Sequence, residues 1–414
     1  MPPMSEIKPF RGIRFTASVP FKDLVCPPYD VISPDEQKRL HEVSKFNAVR
    51  LELPLSDETD PTERPRKAAA QFDAWVDAGV LVADGQSSLY VYRQDYELPG
   101  GTRGRVAGVV GALQLEEFGG RAGVLPHERT MPGPIEERLA LIRACPLNIS
   151  PIYAIYRGGG SLAPYVDSLE HRPPAARFTD ASGTLHRLWA IDAPAEIEML
   201  SGALRPGPLV IADGHHRYET ALAYHRERGD SPGGHDAVMC FCVDADVEDL
   251  VVYPFHRIVT TSDGRDAVKQ RAVDRFGGRL LGPAESAAAL DAASGDHPMV
   301  VVAGNEDVLI DVSATDVEVA VGERVAAWRA LDVVALHEVV FPALSDDVPE
   351  LSFTRDEDDV RRRVSGDPAT WGVLLRPPTA TDVIEVARAG ERMPQKASYF
   401  WPKAVTGLVF RPLE

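Results

Sequence analysis

Between residues 65 and 79 the apolar side chains Ala68, Ala69, Phe72, Trp75 and Val76 recur at helical spacing, with Pro65 near the start and Gly79 at the stop, and predict an amphipathic helix. Two β-rich runs follow, 89–93 and 106–115, with Pro99-Gly100-Gly101 between them as turn material, and they read as an antiparallel pair. Pro132-Gly133-Pro134 opens a helical run over 135–144, so the polar segment just before it, Leu125 to Thr130, falls on a loop. Residues 151–156 read as a further strand, closed by Gly158-Gly159-Gly160.

In the middle of the chain Leu209-Val210-Ile211-Ala212 is a short β-favouring run, and Tyr218, Ala221, Leu222 and His225 follow at i, i+3, i+4 and i+7 up to Gly229. That is a strand, a turn and a helix. Runs 238–243 and 250–253 predict two more buried strands. Beyond about residue 261 come helical patterns at 267–276 and 284–293, strands at 299–303 and 308–312, a long helical stretch over 323–341, a strand at 371–375 and a helix at 382–389. This succession predicts an α/β fold with a mixed sheet, in two regions: 1–260, and an additional C-terminal αβ region over 261–414.

Acidic residues outnumber basic ones by 62 to 44, a formal charge of −18, so the mean field repels nucleic-acid backbones and the expected partner is a small-molecule substrate. A local cluster of cations still holds a small anion, because screening acts only beyond roughly 8 Å. Cys26, Cys145, Cys240 and Cys242 make neither a disulfide framework nor a zinc pattern, which fits a reducing compartment. The start of the sequence lacks the apolar core of a signal peptide and no run of 18 apolar residues occurs. The expectation is a cytoplasmic protein with no membrane partner.

Candidate chemistry concentrates in Asp213-Gly214-His215-His216-Arg217. A helix opening there aims unpaired N–H groups and its positive dipole end at an anion. Asp213 offers a carboxylate for a divalent cation or a hydroxyl proton, Gly214 allows close backbone approach, Arg217 offers a bidentate fork, and His215 and His216 can donate to phosphate oxygens or shuttle a proton. Read as structure alone, Asp213 is an N-cap and the rest a solvated first turn. His127-Glu128-Arg129-Thr130 brings a proton carrier, a carboxylate and a cation onto one loop. Cys26-Pro27-Pro28-Tyr29-Asp30 presents Tyr29 and Asp30 on a stiffened chain, either as site wall or as structure. Lys396, Ser398, Tyr399 and Lys403 in the tail either close over a bound anion or pack as a docking segment. Cys240 and Cys242 share one strand face and read as buried core.

Taken together, the segments 7–12, 26–32, 127–130, 213–217 and 393–403 resemble the bacterial and archaeal domain-of-unknown-function family 1015 over essentially the whole chain. Where that family's tail has Pro-Lys-Ser-Thr-Tyr-Phe, this sequence has Pro394-Gln395-Lys396-Ala397-Ser398-Tyr399-Phe400, so the first hydroxyl of the motif is missing. The Asp-Gly-His-His-Arg box is similar to the signature of the ParB/sulfiredoxin-like superfamily, which includes nucleotide-binding ParB proteins, sulfiredoxins and kinases of free L-serine. His215 stands where sulfiredoxin has its cysteine, and no basic helix-turn-helix of the DNA-partition type is seen.

The resemblance therefore implies a ParB/sulfiredoxin-like core and the kinase-like branch. There a serine hydroxyl attacks the terminal phosphoryl group of ADP, ATP or pyrophosphate with Mg²⁺ neutralising the oxygens. Asp213 would hold the metal or take the proton, with Glu128 the second candidate base and His216 a catalytic acid–base. Arg217, His215, Gly214, His127, Arg129, Thr130, Tyr29, Asp30, Lys396 and Ser398 would bind substrate and phosphate. No Walker-type phosphate loop is present, so a nucleotide needs another cradle. The alternative is a non-catalytic, ParB-like regulatory module that binds a nucleotide.

Overall fold

A hairpin whose side chains alternate between two covered faces forms the centre of the larger sheet. The computed structural model describes all residues except 1–5, 17–18, 57–59, 61, 120–122, 131, 206 and 230–231. The first few positions of the start discussed above thus lie outside the described residues. The chain divides into two units, Met1–Pro126 with Thr130–Leu250 and Pro402–Glu414, and His127–Arg129 with Val251–Trp401.

The first unit holds a nine-stranded mixed sheet. Its strands are β1 (Ile7–Lys8), β2 (Leu89–Glu97), β3 (Arg103–Gln114), β4 (Val124–Pro126), β5 (Ile152–Tyr156), β6 (Ala176–Thr179), β7 (Leu185–Ile191), β8 (Leu209–Asp213) and β9 (Ala237–Asp244). The order is β4-β8-β5-β9-β3-β2-β7-β6, with β1 on β3. Two neighbouring pairs, β4 with β8 and β5 with β9, are parallel; the others are antiparallel. The expected hairpin is β2 with β3, and Gly100 and Gly101 at its tip have φ of 98° and 86°, a left-handed backbone that favours glycine.

Period-two alternation sends Leu89 and Val91 of β2 into one core, with Val109, Ile152, Ile211, Cys240 and Tyr218. Tyr92 points the other way and meets Phe241, which also contacts Tyr153. Cys240 and Cys242 are buried free thiols, and burial pushes Cys240 well up, which leaves it an inert core residue. The three main helices of this unit are α1 (Glu63–Asp77), α2 (Pro132–Ala144) and α3 (His215–Arg228). A second core joins Trp75 of α1, Leu141 of α2, Cys145 just past its end, Leu24, Cys26, Leu51 and Phe410.

Just past β9, Glu248 turns its carboxylate under the hairpin. Its Oε2 accepts the Ala107 N–H at 2.8 Å and stands 3.7 Å from Arg105 Nε, with the side chain only 4% exposed. Burial raises its pKa from 4.5 to about 7, against the opposing pull of the Ala107 hydrogen bond and Arg105.

The second unit holds a wholly antiparallel six-stranded sheet of β10 (His256–Thr260), β11 (Arg279–Leu281), β12 (His297–Val302), β13 (Asp307–Val312), β14 (Glu350–Thr354) and β15 (Thr370–Leu375), ordered β11-β13-β12-β15-β10-β14. Ile258, Val300, Val302 and Leu374 pack against Leu290, Val360 and Val364 from its helices. Two expectations change here. The long helix over 323–341 is broken: Ala326–Arg329 is one short helix, and helix resumes at Asp332. The extended backbone at Leu331 turns Asp332 toward Arg376, whose Nε and Nη2 donate to its carboxylate at 2.8 and 2.9 Å. Satisfying that buried acid outweighs continuous helix. The strand at Val251–Tyr253 is half-buried, not core, and among the described residues it pairs with Tyr399–Trp401 alone. Among the described residues no helix is long and apolar enough to cross a membrane.

Candidate functional site

The run Leu209–Asp213 is apolar until its last residue, so the strand ends by presenting a carboxylate. The pairing of β8 with β5 slips between Ile211 and Asp213, a bulge that re-aims the strand end. Gly214 then adopts φ 89°, and α3 begins at His215. Two constraints select glycine there: the left-handed backbone, and a Cβ position only 3.0 Å from Arg217 Nε. Gly214→Ala is therefore expected to cost about 1–2 kcal/mol in urea unfolding from the backbone alone; a loss under about 0.5 kcal/mol would mean that the turn is not held in this conformation.

Arg217, one turn along α3, reaches back with Nη2 to Asp213 Oδ2 at 2.5 Å, while Nη1 donates to the Pro151 carbonyl. The other Asp213 oxygen accepts from Lys403 Nζ. The carboxylate thus sits between two cations on a strand end facing a helix N-terminus. Lys403 is brought there by backbone pairing. Cys26 and Thr406 exchange N–H···O bonds of 3.1 and 2.8 Å, and three residues on in each antiparallel direction lie Tyr29 and Lys403. The Lys403 carbonyl is further held by Gln94 Nε2 at 2.9 Å.

Behind Arg217 lies a buried polar group that the sequence patterns did not single out. The Glu52 side chain is 3% exposed; its Oε1 accepts from Ser150 Oγ at 3.2 Å and stands 3.7 Å from Arg138 Nη1. The Arg138 guanidinium lies 4.3 Å from the centre of the Tyr29 ring. Burial raises Glu52, against Arg138, Arg217 and the Ser150 hydrogen bond. Burial likewise raises Tyr29 to about 12, opposed by Arg217 and Arg138. For Arg217 burial pulls down, but Asp213, Asp30, Tyr29 and Glu52 together outweigh it, and its pKa lies above the ordinary value. Glu52, Arg138, Ser150, Asn148 and Arg217 line a cavity of about 50 Å³. That holds a few waters and is far below the roughly 300 Å³ of a small-molecule pocket. The Nε atoms of Arg138 and Arg217 are buried without a hydrogen-bond partner.

Of the residues expected from sequence, Asp213, Gly214, His215, His216, Arg217, Tyr29, Asp30 and Thr130 belong to the first unit. Asp213 and Arg217 are in direct contact, the Asp30 carboxylate acts on Arg217 through its charge, and the Tyr29 ring lies against Arg138. His215 is buried, His216 half-buried and Asp30 exposed. Thr130 donates to Glu219 Oε2 at 2.6 Å.

His127, Glu128, Arg129, Lys396 and Ser398 belong to the second unit. There His127, 1% exposed, has Nε2 3.0 Å from Ser398 Oγ, and the Lys396 N–H donates to Glu128 Oε1 at 3.2 Å. Lys396 has φ 56°, the one non-glycine residue with positive φ among those described. Arg257, wholly buried, is pulled down to about 9 by burial while Glu128 pulls the other way; Arg129 is exposed. Glu52 and Arg138 were missed because a lone acid in an apolar run and a lone cation on a helix carry no local signal.

The family described as "Protein of unknown function (DUF1015)" matches residues 7–334. The chain belongs to the DUF1015 family. No curated protein matches this DUF1015 member. Among solved structures it is similar to a free serine kinase in complex with AMP, at 13% identity over 70% of this chain and 88% of that one, with a TM-score of 0.36. It is also similar to SbnI with a C-terminal truncation from Staphylococcus aureus, at 11% identity, 73% and 87% coverage and a TM-score of 0.39. A conserved hypothetical protein from Pyrococcus furiosus matches at 13% identity, 67% and 87% coverage and a TM-score of 0.32.

Proposed function

We propose that this DUF1015 member is a small-molecule phosphotransferase, with free L-serine or a similar hydroxy compound as acceptor and ADP, ATP or pyrophosphate as donor. The observation that carries this reading is the Asp213 carboxylate gripped by Arg217 and Lys403 at the start of α3. Two cations and a helix N-terminus converging on one strand end are the equipment for stabilising charge on a transferring phosphoryl group. The unspent Nε donors of Arg138 and Arg217 supply further positive ends nearby. The same reading keeps a ParB/sulfiredoxin-like core for the phosphate-binding region.

In the step proposed, the acceptor hydroxyl oxygen bonds to the terminal phosphorus, the bond from that phosphorus to the leaving phosphate oxygen breaks, and the hydroxyl proton passes to a carboxylate. Both oxygens of Asp213 are engaged by cations, so its role here is to hold Arg217 and Lys403 in place. Glu52, made more basic by burial, is the proton acceptor favoured in its stead, receiving the proton through a water in its small cavity, and Glu128 is the competing candidate. Mg²⁺ was implied by the family resemblance. With both Asp213 oxygens committed to Arg217 and Lys403, the residues present do not form a ready metal site at this turn, and no step is assigned to the ion.

The test is a screen of serine and other small hydroxy compounds against ADP, ATP and pyrophosphate, with phosphorylated product read by mass. Phosphoserine formation is expected, and Glu52→Gln is expected to slow it by about 100-fold or more. Saturable nucleotide binding with no product from any pair would replace this reading with the regulatory-module alternative. Full loss in Glu128→Gln with an unaffected Glu52→Gln would move the base to Glu128.

A further inference from the structure

Beside the distal half of α3 lies a second group of chemically able side chains that phosphoryl transfer does not use. His225 lies on the helix, and His235 and Asp236 form the short turn that leads into β9. One atom from each, drawn from His225, His235 and Asp236, falls within 4.8 Å of the other two, the one such group of three among the described residues. His225 Nδ1 stands 3.2 Å from Asp236 Oδ1, and His235 Nε2 stands 3.6 Å from the same oxygen. Ligands at 2.0–2.1 Å from a tetrahedral ion are spaced about 3.4 Å apart, so these separations match the edges of a coordination tetrahedron.

Hydrogen bonding does not account for the arrangement. Both ring nitrogens are buried atoms without a hydrogen-bond partner, and the His235 side chain is only 6% exposed. Two buried imidazole nitrogens that stand within ion-pair distance of one carboxylate oxygen yet make no hydrogen bond to it are better satisfied by an ion bound between the three groups. The carboxylate is also oriented from behind: Asp236 Oδ2 accepts the Gly233 N–H at 3.1 Å, and the Asp236 carbonyl accepts from Gln114 Nε2 at 3.0 Å and Leu115 N at 2.9 Å. Such outer hydrogen bonds are the usual support of a metal ligand. Arg411 also faces Asp236, with its guanidinium bonded to Asn148, Ala237 and Gly234; its charge weakens the site relative to the same three ligands alone.

We propose that His225, His235 and Asp236 bind a divalent transition-metal ion of the Zn²⁺ type, with solvent at the fourth position. Two nitrogens and one carboxylate oxygen suit Zn²⁺ and its neighbours better than Mg²⁺ or Ca²⁺. His225 lies ten residues from His215 along α3, roughly 15 Å by helical rise, so this site is distinct from the Asp213 cluster. Its effect is structural: it ties the helix that presents Arg217 to the start of β9.

The full chain, stripped with a chelator and dialysed, is titrated with Zn²⁺ against a chromophoric indicator and with Co²⁺ while visible spectra are recorded. One equivalent of metal per chain is expected, with the intense ligand-field bands of four-coordinate Co²⁺. Affinity should fall by more than about 100-fold in His225→Ala, since losing an outer hydrogen-bond partner alone costs 10–100-fold. His225 is the decisive position because it is 34% exposed and tolerates replacement better than buried His235. Asp213→Asn should bind as the parent does. No stoichiometric binding, or the same affinity in folded His225→Ala, overturns the assignment.

Discussion

Arg217→Lys is expected to cut the proposed phosphoryl transfer by roughly 10²- to 10³-fold while the chain stays folded. Arg217 spends Nη2 on Asp213 and Nη1 on the Pro151 carbonyl, and keeps Nε in reserve beside the Glu52 cavity. A lysine ammonium can keep the charge opposite Asp213 but cannot span all three directions with a planar fork. Removing one partner of a buried ion pair typically costs about 3–5 kcal/mol because the other charge is stranded. Here Asp213 retains Lys403 and the new ammonium, so that penalty does not arise. Single-turnover kinetics on serine and the donor, alongside thermal unfolding, separate the outcomes. Parental rates in Arg217→Lys would remove the guanidinium from the chemistry; a parallel collapse of rate and melting temperature would make it a structural residue.

Glu248→Gln is expected to stabilise the protein above neutral pH and to lose that advantage in acid. The folded state holds the Glu248 proton up to about pH 7, whereas the unfolded chain releases it near 4.5. Between those values the native state binds more protons, so stability is full below about 4.5 and falls as pH rises to 7 and beyond. The whole shift corresponds to up to about 3 kcal/mol. Glutamine keeps an oxygen for the Ala107 N–H and adds an amide whose imperfect pairing takes back about 1 kcal/mol or more. A net gain of about 1–2 kcal/mol at pH 8 follows, shrinking to nothing or reversing at pH 4.5. Urea unfolding at several pH values measures it, and a pH-independent difference would show that Glu248 is ionised like an ordinary surface acid.

What could be read from the chain depended on how local the cause was. The helix around Trp75 and the strand–turn–helix around Gly214 are written in neighbouring residues, through apolar spacing and a turn that suits glycine, and both stand where periodicity puts them. So does the hairpin closed by Gly100 and Gly101. The break at Leu331 was hidden because its cause, Arg376, lies 44 residues beyond Asp332. Lys403 stood out as a tail cation, but its meeting with Asp213, 190 residues away, depends on the pairing of Cys26 with Thr406, which no periodicity reports. Glu52, Arg138 and Ser150 were invisible for the same reason: they converge only through the second core. His225 looked like one more residue on a helix face until the fold set His235 and Asp236 beside it.

The Cys26–Thr406 pairing also imposes a timetable on biosynthesis. At about 5–20 residues per second, Lys403 leaves the ribosome on the order of ten to forty seconds after Asp213. Throughout that interval a nascent chain has Arg217 on its acid but lacks the second cation, and its α1–α2 core still waits for Phe410. Copies abandoned before residue 402 would therefore be inactive as well as unstable, and quality-control proteases would meet them already marked by an open, unfinished core.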